Sequence, residues 1–85
     1  MNIQTTKKFD KQYSKLNASI KKQFKSRLEL FCTNPFDATL RNHAIKGRYL
    51  GYRSIDISGD VRALYTVKGN AVIIFVFIGT HSQLY

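Results

Sequence analysis

Ala71-Val72-Ile73-Ile74-Phe75-Val76-Phe77-Ile78-Gly79-Thr80-His81-Ser82-Gln83-Leu84-Tyr85 is the stretch on which the fold turns. In a chain of 85 residues, eight apolar residues in a row, Ala71 to Ile78, read as a deeply buried central strand. Gly79 breaks the run, and His81 and Tyr85 follow at once. Titratable and aromatic groups hung from the end of a rigid strand are the materials of a site. Histidine exchanges protons near neutral pH, and tyrosine offers a flat face and a hydroxyl.

Working outward toward the N-terminus, Lys68-Gly69-Asn70 reads as a turn and Val61 to Val67 as a returning strand. Ser58-Gly59-Asp60 is a tight hairpin turn. Before it, Arg53, Ile55 and Ile57 alternate with Tyr52, Ser54 and Asp56, the period of a half-buried strand. Phe36 to Gly47 is polar and irregular, with Arg41, His43 and Lys46 close together. Ile20, Phe24, Leu28 and Phe31 recur at helical spacing until Asn34-Pro35 ends the pattern. Phe9, Tyr13 and Leu16 form an earlier helical stripe, and Asn17 or Ser19 caps the second helix. The short link predicts an antiparallel helical hairpin. Residues 2 to 6 suit a short edge strand. The order is β-α-α-β-β-β: an α+β fold with a helical hairpin on a small antiparallel sheet.

Charge is the strongest compositional signal. Fourteen Lys and Arg against five Asp and Glu give +9, with an isoelectric point near 10.0. A domain this basic points to a polyanionic partner. Eight of the cations, from Lys7 to Arg27, meet only Asp10 as an opposing charge. Their plainer reading is a solvated helix face, although such faces normally mix signs. Apolar residues make up 44% of the chain, enough for a packed core rather than a disordered tail. One domain, residues 1–85, is expected at this length. The single Cys32 excludes an internal disulfide and suits a reducing compartment, so a cytoplasmic location is expected. It also reads as a packing residue rather than a metal ligand. No apolar run is long enough for a membrane span, and Met1 to Lys7 lacks the core of a signal peptide.

Three blocks in order give a resemblance to a known family. They are Asn42-His43-Ala44-Ile45-Lys46-Gly47, the run from Gly51 to Tyr65, and Ile78-Gly79-Thr80-His81-Ser82-Gln83-Leu84-Tyr85. Over nearly its whole length the chain resembles the RelE superfamily of bacterial type II toxin–antitoxin toxins, in its YafQ-like and RelE/StbE branch. The resemblance implies a ribosome-dependent endoribonuclease that cuts messenger RNA in the A site, with no metal and no organic cofactor. It implies a cognate acidic antitoxin, contact with operator DNA only through that antitoxin, and no membrane partner.

The site residues follow from the same resemblance. His81 matches a family His and is the first choice for acid or base. His43 matches another and is its partner or a phosphate contact. Asp60 matches an acid of the hairpin turn, where it orients a His, serves as a base, or simply favours the turn. Arg62 falls where relatives hold an Arg on the phosphate, a role that suits a guanidinium fork. Tyr85 matches a terminal aromatic, for stacking on a base, for donating to phosphate or as a latch, and Leu84 reads as the latch in either case. Asp56 departs from the pattern, since YafQ-like members carry a His there. Either Asp56 couples with Asp60 or it faces solvent. Arg53 and Lys46 are weaker candidates for backbone contacts. Lys7, Lys8, Lys11, Lys15, Lys21, Lys22 and Lys25 would grip ribosomal RNA through its phosphates. The alternatives are a ParE-like toxin that binds DNA gyrase without catalysis, and an inactive nucleic-acid-binding relative.

Overall fold

The computed structural model describes residues 1–85. Three antiparallel strands form its frame: β3 (Arg53–Asp56), β4 (Val61–Lys68) and β5 (Val72–Thr80). The turns at Ser58-Gly59-Asp60 and Lys68-Gly69-Asn70 join them. At the second turn Gly69 takes φ +62, a conformation open to glycine without steric strain. Two more strands extend the frame. β1 (Asn2–Thr5) pairs with β5 in parallel, and β2 (His43–Ala44) pairs with β3. The sheet order is β1-β5-β4-β3-β2. The sheet is therefore mixed rather than purely antiparallel, and β4, not the apolar β5, is its middle strand. β5 also runs on through Gly79 to Thr80 instead of stopping at the glycine. Two-residue β2 lies in the stretch that the sequence shows only as polar and irregular.

The helices α1 (Lys7–Ser14) and α2 (Ala18–Thr33) start at side-chain caps. Thr6 accepts from the Phe9 N–H, and Asn17 accepts from the Ile20 N–H. Asn17, not Ser19, is thus the cap. Thr6 has a second task. β1 ends at Thr5, so β5 beyond Phe75 would have a bare edge. Helix α1 covers it: the Thr6 hydroxyl donates to the Val76 carbonyl at 3.1 Å, and Gln12 Oε1 accepts from the Ile78 N–H at 2.9 Å. An exposed edge of this apolar strand would invite pairing with other chains.

Alternation along the strands sorts side chains onto two faces. Between the helices and the sheet, Phe9, Phe24, Phe31, Leu40, Ile55, Ile57, Val61, Ala63, Tyr65, Ile73, Phe75 and Ile78 form the main core. Phe75 touches Phe9, Phe24, Phe31 and Tyr65, with ring centroids 5.6–5.9 Å apart. On the other face Ile45, Tyr49, Leu64 and Leu84 make a smaller cluster, flanked by Tyr52 and Phe77. A bulge lets one strand serve both. Leu64 lies opposite Phe77 and Tyr65 opposite Phe75, leaving Val76 without a partner. The extra residue reverses the alternation, so Phe75 and Ile78 both reach the main core while Phe77 points to the second face. Half of the apolar run is accordingly only half-buried, including Ile74, Val76 and Phe77. No helix is long and apolar enough to cross a membrane.

Candidate active site

The second face carries a cleft of about 370 Å³. Arg41, His43, Lys46, Asp56, Arg62, His81 and Tyr85 line it, with Ala44, Ile45 and Ser54. Three fixed cations against one carboxylate leave the cleft positive. That is the sign a phosphodiester requires.

Pairing of β3 with β4 builds its centre. Asp56 and Arg62 are cross-strand partners in the register, and both alternate onto this face. Arg62 Nε lies 2.9 Å from Asp56 Oδ1, and each side chain is only about a sixth exposed. Arg62 Nη1 donates to the carbonyls of Ser58 and Gly59 at 3.2 Å, and to that of Val61 at 3.4 Å. One edge of the guanidinium is thus tied to the hairpin turn and to Asp56. Asp56 is largely shielded from solvent. It holds Arg62, and its other oxygen lies 3.7 Å from Arg41 Nε.

His43 comes from β2, opposite Ser54. Its Nδ1 is 2.7 Å from the Arg41 carbonyl oxygen. A carbonyl only accepts, so Nδ1 carries the proton, and in the neutral ring Nε2 is the basic nitrogen. Arg41 achieves this with φ +48, the one non-glycine residue in the left-handed region. That conformation costs about 1–2 kcal/mol for a residue with a Cβ. Asn42 bolts the turn down between them. Its Nδ2 donates to the Pro35 carbonyl and the Tyr65 hydroxyl, and its Oδ1 accepts from Arg53 Nε at 2.8 Å.

The C-terminal turn supplies the remaining wall. His81–Leu84 forms the helical turn α3, closed by a capping box between Thr80 and Gln83. Gly79 makes room for it, since a Cβ there would lie 2.9 Å from Gln83 Oε1. The His81 N–H donates to the Asp60 carbonyl at 3.1 Å, joining this turn to the β3–β4 hairpin. Tyr85 follows four residues after His81 on one helical face, with ring centroids 4.7 Å apart. Its other neighbour is Tyr49, met edge-on at 5.7 Å. Leu84 is buried as the latch, while Tyr85 keeps 45% of its surface exposed.

Of the residues singled out in the sequence, the cleft gathers His43, Lys46, Asp56, Arg62, His81 and Tyr85. Asp60 is exposed on the hairpin turn, where its main chain rather than its carboxylate meets the site. Arg53 is outside the cleft lining; its guanidinium stacks 5.3 Å from the Phe36 ring. Lys7, Lys8, Lys11, Lys15, Lys22 and Lys25 lie on α1, α2 and their link, and Lys21 is beside the Tyr13 ring. None of these lysines reaches the cleft. Arg41 and Ser54 are additions. Arg41 had a signal, its place two residues before His43, but nothing in the sequence announces a left-handed arginine. Ser54 lies at the floor, fully buried, and its hydroxyl has no hydrogen-bond partner. No three His, Cys, Asp or Glu side chains converge as a metal-binding group.

In solved structures, YafQ from E. coli strain BL21(DE3) has the same fold, with a TM-score of 0.80 at 21% identity over 99% of this chain and 97% of that one. A copper-bound mutant toxin from Helicobacter pylori follows at 0.74 and 27% identity, covering 100% of this chain and 99% of that one. The E. coli DinJ–YafQ complex gives 0.72 at 22% identity over 99% and 97%. No curated protein matches the chain in sequence. The sequence family described as the bacterial toxin of type II toxin-antitoxin systems, YafQ, matches residues 1–85. The chain belongs to this YafQ family of bacterial type II toxins.

Proposed function

We propose that the chain is a ribosome-dependent endoribonuclease that cuts messenger RNA in the A site without a metal ion. The observation that carries this reading is the convergence of two histidines and a clamped arginine in one positive cleft. Cleavage by the neighbouring 2′-hydroxyl needs a base for that proton, an acid for the leaving 5′-oxygen, and donors for the charge that builds on phosphorus. His43 Nε2 is the base, because Nδ1 is already committed to the Arg41 carbonyl. His81 is the acid and gives its proton to the 5′-oxygen. Arg62 places its guanidinium on a non-bridging oxygen. Asp56 keeps that guanidinium aimed and takes no proton itself. Tyr85 stacks its exposed face on a base. The products are a cyclic or 3′-phosphate and a 5′-hydroxyl.

The same reading gives the helices a separate task. Their lysines contact ribosomal RNA phosphates, a grip that fixes position without choosing sequence. By analogy with the DinJ–YafQ complex, an acidic antitoxin occupies this basic chain in the resting cell and alone mediates operator DNA contact. The test is primer extension on a defined message in a purified translation system, with chelator added to the cleavage step after ribosome loading. Cuts within the A-site codon that require ribosomes and survive chelation support the proposal. Folded protein in excess that leaves the message intact would remove it.

A further inference from the structure

The only non-glycine residue with a left-handed backbone lies beside the proposed base, and its strain supports one contact. Arg41 ends the 3-10 turn Ala38–Leu40 with φ +48 and ψ +45. Its N–H closes the turn on the Ala38 carbonyl, and its own carbonyl swings to within 2.7 Å of His43 Nδ1. An extended residue at 41 would point that carbonyl elsewhere. The guanidinium is three-quarters exposed and 3.7 Å from Asp56, so the ion pair is too solvated to explain the conformation.

We infer that Arg41 is a positioning residue for His43, acting through its left-handed main chain. The carbonyl holds the imidazole as the Nδ1–H tautomer and turns Nε2 toward the cleft. A histidine without that acceptor is free to take the Nε2–H form, which presents a donor where the reaction needs a lone pair. The catalytic consequence rests on the nuclease reading; the tautomer does not.

Three variants separate backbone from charge. Arg41→Gly keeps the left-handed conformation and removes the cation. Arg41→Asn tolerates the conformation moderately. Arg41→Val resists it most, being β-branched. Long-range nitrogen–proton NMR of the free protein reports the His43 tautomer directly, and amide dispersion shows that each variant is folded. The Nδ1–H form is expected in the native protein, in Arg41→Gly and in Arg41→Asn, with a shift toward Nε2–H in Arg41→Val. In cleavage, Arg41→Gly should raise the half-saturating concentration because the cation is gone, while Arg41→Val lowers kcat about tenfold or more. Retention of the Nδ1–H form in Arg41→Val, or its absence in Arg41→Gly, overturns the inference. A native protein that cuts no RNA removes the nuclease reading, and the NMR result still decides the role of Arg41.

Discussion

The two faces of one sheet divide the work. Toward the helices, β3, β4 and β5 present Ile55, Ala63, Tyr65 and Phe75 in an apolar, aromatic interior. Toward the cleft β3 and β4 present Ser54, Asp56, Arg62 and Leu64, interleaved residue by residue with the first set. Neighbours in sequence such as Ile55 and Asp56 thus have opposite duties. A register slip of one residue would bury Asp56 and Arg62 among phenylalanines. The packed face fixes the register and thereby the distance between Asp56 and Arg62. The main apolar core belongs to one face and the charged cleft to the other.

That division can be broken most sharply at His81. Under the nuclease proposal His81→Ala should lower single-turnover cleavage by about 10²–10⁴-fold. Its unfolding free energy should stay within about 0.5 kcal/mol of the native value, because the side chain is exposed. Wild-type cleavage by a folded His81→Ala protein would take His81 out of the mechanism. The opposite face responds through stability instead. Phe75→Ala should cost about 3–5 kcal/mol in urea unfolding, since the ring is fully buried. A decrease under about 1 kcal/mol, well below the usual range for such a truncation, would mean that the aromatic cluster does not hold the sheet.

Asp56→Asn sits where the cleft meets the register. It keeps the shape but removes the charge that aims Arg62, and a hydrogen bond to a charged group is worth about 1.5–3 kcal/mol. Cleavage should fall with little change in RNA affinity. If affinity falls and the rate of bound RNA does not, Asp56 supports binding rather than transition-state contact. The smallest effect per residue is expected on the helices. Replacing Lys11, Lys15, Lys22 and Lys25 by Gln should weaken ribosome binding. Its salt dependence should flatten by about one unit of log–log slope for each phosphate left without its lysine. An unchanged slope would show that these lysines form only a solvated face.

Much of this arrangement is legible in the chain. Residue pattern marks both helices and the strands β3, β4 and β5, and the Gly-containing turns join those strands in order. The residues of the three sequence blocks contribute most of the cleft lining. What escapes notice depends on contacts between distant segments. The parallel docking of β1 requires β5 to exist first. The bulge at Val76 emerges only when β4 is laid beside β5. Asp56 reads only as a departure from the family's histidine until Arg62 is seen 2.9 Å away, and the bond from the Asp60 carbonyl to the His81 N–H has no signal in the sequence.

Residue order alone settles the two main helices and the strands β3, β4 and β5 with their turns, because each rests on local spacing, capping and the backbone freedom of a few residues. It also settles that the chain is basic, that His43 lies in the irregular stretch before β3, and that His81 follows the last strand. Tertiary structure alone decides which charges become partners and which ring nitrogen is free. Those outcomes depend on side chains brought within about 3 Å across strands and loops, where hydrogen bonds and ion pairs fall off too steeply for sequence separation to foretell them.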